Sequence, residues 1–151
     1  MAKSFTQIYV HVVFAVKRRL PLIHPSWEDE LFRYITGIVQ NKSETILEIN
    51  GMPDHVHLLI RLSGGTPLSD LVREIKKSTN TFIRERGFVS TPFQWQEGYG
   101  AFSCGQSGIE PLRRYIQNQK EHHRNKAFLD ELRVFLKLYN VDYQEEWLET
   151  I

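Results

Sequence analysis

Two histidines spaced two residues apart are the first side chains in this sequence whose types could do chemistry. His55 and His57 begin an apolar run that ends at Leu62 and is typical of a β-strand. Residues i and i+2 of a strand project from the same face, so both imidazoles share one face while Val56 points to the other. This spacing suits two ligands of one metal ion, but packed structural histidines show the same pattern. A metal site therefore needs a second group of polar residues.

A helix near residue 115 supplies such a group. Tyr115, Gln119 and His122 are spaced i, i+4 and i+7, which places them on one helix face. The tyrosine hydroxyl is a potential nucleophile, and the Gln119 amide oxygen could bind a divalent ion. The alternative is an amphipathic helix that packs Tyr115 into the core, although Leu112 and Ile116 could form the apolar stripe without it.

Clustered cations indicate an anionic partner. A predicted helix over residues 66–87 carries basic side chains on its polar face. Other basic residues lie at the end of the first predicted strand, and one basic residue precedes Tyr115. The candidates for phosphate contacts are Lys17, Arg18, Arg73, Lys76, Lys77, Arg84 and Arg114. A solvated helix face is the alternative explanation for the helical ones. DNA contact and simple solvation both remain open at this point.

The overall charge conceals an uneven distribution. The 151 residues have a formal net charge of +1, which argues against a strongly basic nucleic-acid-binding protein. Residues 1–126 hold 17 basic and 12 acidic side chains, and residues 127–151 hold 2 and 6, so the two segments carry +5 and −4. Every candidate residue lies in the basic segment. We therefore expect one domain, 1–151, with an acidic helical tail at about 127–151.

Composition excludes several other classes. Cys104 is the only cysteine, which excludes an internal disulfide and a multi-cysteine zinc site. The chain has no apolar leader at its start and no run near the ~20 apolar residues of a membrane span. We therefore expect a cytoplasmic protein with no membrane partner.

The predicted elements alternate in a recognisable order. β-branched and aromatic residues predict a strand over 5–17, and two shorter runs predict a hairpin over 44–50 and 55–62 with a turn at 51–54. Apolar periodicity predicts helices over 26–41, 66–87, 107–125 and 127–139, started by capping residues Ser26, Thr66 and Ser107. A last strand is expected over 95–103.

The resulting order is β-α-β-β-α-β followed by helices. It predicts an α+β fold of the ferredoxin-like or RRM-like split β-α-β kind, with an antiparallel sheet, helices on one face and additional C-terminal helices. The pair His55 and His57 follows the hairpin turn, near one end of the sheet.

Three segments together resemble a known family. Residues 52–60 (MPDHVHLLI), 95–99 (WQEGY) and 115–119 (YIQNQ) occur in the order and at the separations found in small single-tyrosine transposases of the HUH superfamily. These are the transposases of the insertion sequence 200 group and its repeat-associated relatives. The likeness spans roughly residues 5–124.

The resemblance implies roles for individual residues. His55, His57 and Gln119 match the ligands of Mg²⁺ or Mn²⁺, and Tyr115 matches the nucleophile. The implied reaction cleaves single-stranded DNA through a covalent 5′-phosphotyrosine and rejoins it to another 3′-hydroxyl. The resemblance also implies recognition of hairpin DNA at element ends or palindromic repeats, and a homodimer whose active sites are shared between subunits.

Two other functions compete with this one. The ferredoxin-like order also serves non-catalytic nucleic-acid-binding modules, but the sequence lacks the aromatic motif of RNA-recognition domains. A replication initiator or relaxase of the HUH superfamily would share the chemistry, but such proteins are larger and carry accessory domains. The first alternative leaves the set of Tyr115, Gln119, His55 and His57 unexplained. The second does not fit a chain of this size.

Overall fold

The computed structural model of the chain describes residues 2–122 and 126–151, with the backbone alone at His122. Four strands and six helices follow one another, with short 3-10 turns at Lys17–Arg19 and Gln106–Gly108. In chain order the elements are β1 (Ile8–Ala15), α1 (Pro25–Asn41), β2 (Thr45–Met52), β3 (His55–Leu62), α2 (Leu68–Arg86), β4 (Gly100–Cys104), α3 (Ile109–Gln117), α4 (Gln119–His122), α5 (Phe128–Leu138) and α6 (Glu145–Glu149).

The sheet has the strand order β2-β3-β1-β4, and every neighbouring pair is antiparallel. This arrangement confirms the predicted split β-α-β fold. In the β1–β3 register, Ala15 lies opposite His55 and Val13 lies opposite His57. Because side chains alternate between the faces of a strand, His11, His55 and His57 share one face.

The other face of the sheet is apolar and covered by α1 and α2. Even-numbered residues of β1 and β3, such as Phe14 and Leu58, pack there against Leu31 of α1 and Ile75 of α2, all fully buried. Both helices present one apolar stripe to the sheet and a polar face to solvent, as the sequence periodicity predicts. Together these elements form the largest core cluster of the described residues.

The histidine face is covered by the C-terminal helices. Val13 and Phe102 pack against Phe128 and Leu132 of α5, and a separate small cluster joins the two sheet residues Tyr9 and Leu59 to Ile109 and Ile116 of α3. The helices of the predicted fold therefore lie on one face, and the additional C-terminal helices seal the opposite one around the histidines.

Helix starts differ from the sequence prediction at all three capping residues. The N-cap of α1 is His24, whose Nδ1 accepts a hydrogen bond from the Ser26 amide, because Pro25 occupies the first helical position. The N-cap of α2 is Pro67, and Thr66 instead donates its hydroxyl to the Lys42 carbonyl at 3.4 Å. The predicted capping roles of Ser26 and Thr66 are wrong, and α3 starts after a 3-10 turn, without a side-chain cap from Ser107.

Three element boundaries also differ. The first strand is shorter than predicted, and the last begins at Gly100 because Gly98 turns the chain with φ 82°; before it, Trp95 makes only an isolated bridge to Val16. The predicted helix 107–125 divides at Asn118, and its predicted end lies outside the described residues. Helix α6 lies within the predicted helical tail, but its separate bounds were not predicted. None of the described helices is long and apolar enough to span a membrane.

Candidate active site

The two histidines of β3 are fully buried at the start of the strand. Their ring centroids lie 5.2 Å apart with an interplanar angle of 74°. His55 Nδ1 lies 2.7 Å from the Asp54 carboxylate, an acceptor, so the proton of this ring is on Nδ1 and Nε2 is left to face the site. This carboxylate–histidine pairing is common behind metal-bound histidines, where it fixes the tautomer and orientation of the ring.

Helices α3 and α4 bring the predicted tyrosine and glutamine to the same place. The Tyr115 ring centroid lies 6.1 Å from that of His57, and Gln119 Oε1 lies 3.1 Å from His55 Nε2. Ile116, which is fully buried, anchors α3 between the two residues. The two histidines and the Tyr115/Gln119 pair are separated by at least 58 positions in the sequence, and they converge within one chain.

A fifth residue, Glu131 of α5, lies at the centre of this group. It is 2% exposed, and its Oε1 lies 2.8 Å from His57 Nε2 and 3.5 Å from His55 Nε2. Its Oε2 accepts hydrogen bonds from the Tyr115 hydroxyl and from Gln119 Nε2, the latter at 3.1 Å. A buried carboxylate needs such partners, because an unpaired charge in the interior is strongly unfavourable.

The donor set fits a divalent cation. His55, His57 and Glu131 each present a ligand atom, and these atoms lie within 4.8 Å of one another. His55 Nε2 and Gln119 Oε1 face each other although both are acceptors in this arrangement, and a cation placed between them would satisfy both. The three ligands predicted from the sequence are all neutral, whereas the structure adds a carboxylate, a ligand type that Mg²⁺ and Mn²⁺ favour.

Burial sets the ionisation of the nucleophile candidate. Desolvation, followed by the hydrogen bond to Glu131 and its negative charge, raises the pKa of Tyr115 well above its usual range. The hydroxyl is therefore protonated at neutral pH and donates to Glu131. A reaction at this oxygen requires an acceptor for its proton and stabilisation of developing charge.

The predicted DNA-contacting cations occupy two regions. Lys17 and Arg18 are exposed just beyond the end of β1, at the edge of the sheet where Ala15 faces His55. Arg73, Lys77 and Arg84 are exposed on α2, on the opposite side of the sheet from the histidines, and Arg73 pairs with Asp70 at 3.0 Å. Arg114 is exposed on α3 beside Tyr115.

Lys76 does not belong with these cations. Its ammonium donates to the Gln96 carbonyl at 2.8 Å and to the Gly98 carbonyl, and it lies 5.3 Å from the centroid of the Phe14 ring. Burial lowers the pKa of Lys76 to about 8, against the opposing effect of Glu97. The side chain holds the segment before β4 against α2, and these hydrogen bonds compete with the phosphate contact that the sequence predicts.

Sequence reasoning missed Glu131 because it assigned the acidic tail no part in the site. A signal was nevertheless present. Phe128, Leu132 and Phe135 form an apolar stripe at helical spacing, and Glu131 lies on the same stripe, where a charged residue needs a buried partner. The His122 side chain, which the sequence grouped with Tyr115, lies outside the described residues.

Comparisons with known proteins identify the family of the chain. The family model described as "Transposase IS200 like" matches residues 4–119. The ISDra2 transposase TnpA of Deinococcus radiodurans is 23% identical over 124 residues, covering 76% of this chain and 86% of that protein.

Two solved structures share the fold. One is a crystal structure of a protein from Deinococcus radiodurans R1 assigned as a transposase, with TM-score 0.63, 20% identity and coverage of 79% of this chain and 98% of that one. The other is a REP-associated tyrosine transposase bound to a REP hairpin, with TM-score 0.61, 17% identity and coverage of 82% and 73%. The family match covers most of the chain and ends before α5, so Glu131 lies beyond it. The chain belongs to the IS200-like transposase family.

Proposed function

We propose that the chain cleaves and rejoins single-stranded DNA by a metal-dependent transesterification with Tyr115 as nucleophile. The observation that carries this proposal is the convergence of the Tyr115 hydroxyl, the two histidines and Gln119 on one buried point. Family membership supports a DNA transposase in general, and this geometry supports the specific chemistry proposed here. His55, His57 and Gln119 are the proposed metal ligands, with Glu131 adjoining them.

In the proposed step the Tyr115 oxygen attacks a phosphodiester. A new oxygen–phosphorus bond forms a 5′-phosphotyrosine, and the bond to the 3′-oxygen breaks to release a 3′-hydroxyl. Glu131 already accepts the hydrogen bond of the Tyr115 hydroxyl and is positioned to take its proton. A bound Mg²⁺ or Mn²⁺ would polarise the phosphate and stabilise its developing charge. Because the histidines are buried, α5 must shift for a phosphate to reach them, and Glu131 can accept the proton only if this shift keeps its contact with Tyr115.

The proposed substrate is single-stranded DNA with a hairpin. Two adjoining surface cavities of 260 and 410 Å³ share Pro92 and Gln94. Lys17 and Arg18 border the first, and Arg84 borders the second, so cations border both neighbouring cavities, the first of them near the histidine end of the sheet. The REP-associated neighbour was solved with a hairpin, which supports this class of ligand.

A homodimer remains part of the proposal, but one chain already brings Tyr115 to its own histidines. Mixing Tyr115→Phe with His57→Ala distinguishes the two arrangements of the site. Sites shared between subunits restore cleavage in the mixture, whereas sites formed within one chain leave it inactive. Sedimentation of the wild-type chain with and without hairpin DNA measures the oligomeric state.

The main test is a covalent adduct assay. Incubation with a single-stranded hairpin substrate and Mn²⁺ should give a protein–DNA adduct that survives denaturing electrophoresis. Tyr115→Phe should bind the hairpin and form no adduct, while Tyr139→Phe, a matched change at the C-cap of α5, should form it normally. An adduct that persists in Tyr115→Phe would remove Tyr115 as the nucleophile.

A further inference from the structure

His11 of β1 is a third buried histidine beside the proposed metal ligands. It is 1% exposed, and its Nε2 lies 2.8 Å from His57 Nδ1, with the two rings stacked at 5.0 Å between centroids. Burial, reinforced by His57 and opposed by Glu131, lowers the pKa of His11 to about 3. At neutral pH the ring is therefore uncharged and carries one proton, on one nitrogen or the other.

The partners of His57 fix where its own proton lies. His57 Nε2 faces the Glu131 carboxylate at 2.8 Å, and a neutral His57 beside an ionised Glu131 donates to it from Nε2. Its Nδ1 is then an acceptor, and His11 Nε2 must be the donor across the 2.8 Å contact. When Nε2 of His57 binds a metal ion instead, the proton of its ring has to move to Nδ1, and His11 Nε2 has to accept.

His11 is suited to both roles because its second nitrogen is uncommitted. Among the described residues His11 Nδ1 has no hydrogen-bond partner, and the Phe135 and Phe102 rings lie 5.1 and 6.2 Å from the His11 ring. That nitrogen can hold a lone pair or a proton without breaking another hydrogen bond. His55 differs, since Asp54 accepts from its Nδ1. The neutral ring therefore keeps a lone pair on Nε2 that can bind a metal.

We propose that His11 is a positioning residue for His57: it holds the His57 ring through the hydrogen bond to Nδ1 and exchanges tautomer with it when a divalent ion replaces the Glu131 contact. In this exchange His11 Nε2 passes its proton to His57 Nδ1, His57 Nε2 releases its proton to solvent, and His11 Nδ1 takes up one proton from solvent, so neither ring changes its charge. The inference rests on the proposed metal site, and it adds a residue of β1 to the support of that site.

The first test measures metal affinity directly, in the full-length chain without DNA. Calorimetric titration with Mn²⁺ should show an affinity about 10- to 100-fold lower in His11→Leu than in the wild type, the range found for lost second partners of metal-bound histidines. His11→Gln can place either an amide N–H or an amide oxygen toward His57, so it should recover most of this loss. Phe102→Leu removes packing beside His11 but no hydrogen bond, and should retain wild-type affinity.

The second test needs no variant. Long-range ¹H–¹⁵N NMR of the histidine rings should find the His11 proton on Nε2 without metal and on Nδ1 with saturating Mg²⁺, with the opposite change in His57. A folded His11→Leu with wild-type affinity, an equal loss in Phe102→Leu, or unchanged tautomers on Mg²⁺ binding would each overturn the proposal. So would a wild-type chain that binds no Mn²⁺.

These outcomes separate the inference from the proposed reaction. A chain that shows the His11-dependent affinity and the tautomer exchange but forms no adduct with DNA supports the role of His11 and contradicts the cleavage chemistry. A chain that forms the Tyr115 adduct with unchanged tautomers supports the chemistry and overturns the role of His11.

Discussion

The two faces of the sheet bury side chains of opposite character. On the face covered by α1 and α2, the buried residues are almost entirely apolar. On the face covered by α3–α5, five buried polar or charged side chains lie together, namely His11, His55, His57, Gln119 and Glu131. Both faces are sealed from water, so exposure does not explain the difference.

The comparison separates stability from function. Apolar burial stabilises the fold without requiring exact partners, whereas each buried polar group costs free energy unless its hydrogen bonds are satisfied. Replacing buried ionic groups by apolar ones of similar size is often neutral or stabilising. The polar cluster therefore fits the proposed chemistry better than a role in stability, whereas the α1/α2 face stabilises β1 and β3 by apolar packing.

The largest expected effect lies on the polar face. His57→Ala should reduce adduct formation by about 10³-fold, equivalent to about 4 kcal/mol of barrier, because it removes a proposed ligand of the metal ion. Hairpin binding, measured by fluorescence anisotropy, should remain. Ile60→Val, on the other face of the same strand, is the control and should keep the wild-type rate. Cleavage retained in His57→Ala would contradict the metal assignment.

A core truncation on the α1/α2 face should lower stability and leave adduct formation unchanged. Leu58→Ala leaves a cavity at a fully buried position and should lower the free energy of unfolding by about 2–5 kcal/mol. Urea denaturation followed by circular dichroism measures this loss. Adduct formation per folded molecule should not change below the unfolding transition. If adduct formation falls by more than the fraction of molecules that is unfolded, the two faces are not independent.

Metal binding at the polar face should stabilise the folded chain. A ligand that binds only the folded chain stabilises it by about 2.7 kcal/mol at 100 times its Kd. Mn²⁺ should therefore raise the melting temperature of the wild type, and EDTA should reverse the increase. His57→Ala should show no increase. An equal increase in that variant would place the ion elsewhere on the chain.

The smallest expected effects distinguish Lys76 from Lys77, two neighbouring residues of α2. Lys76→Met removes two hydrogen bonds to backbone carbonyls and should cost about 1–2 kcal/mol of stability. Lys77→Met, at an exposed position of the same helix, should change stability by less than about 0.5 kcal/mol. For hairpin affinity the order of the two effects reverses, because of these two lysines only Lys77 is available to a phosphate. Lys77→Met should therefore weaken the dependence of hairpin affinity on salt concentration. Equal salt dependence in both variants would contradict this assignment.

Local patterns predicted much of the fold. Apolar periodicity placed α1 and α2 within two residues of their observed bounds, because each packs one stripe on a sheet. Helix starts were less predictable, since His24 and Pro67 took the capping positions expected of Ser26 and Thr66. Several residue types can occupy a cap, and the choice depends on how the preceding chain enters the helix.

The sequence by itself determined that His55 and His57 share a strand face and that Tyr115 and Gln119 lie one helical turn apart, because strand and helix periods are properties of the backbone. Only the tertiary structure decided what completes the site. Glu131 comes from a segment beyond the family match, and His11 comes from a strand 46 residues before its partner. Contacts between distant segments depend on strand register and helix packing, which no local pattern encodes.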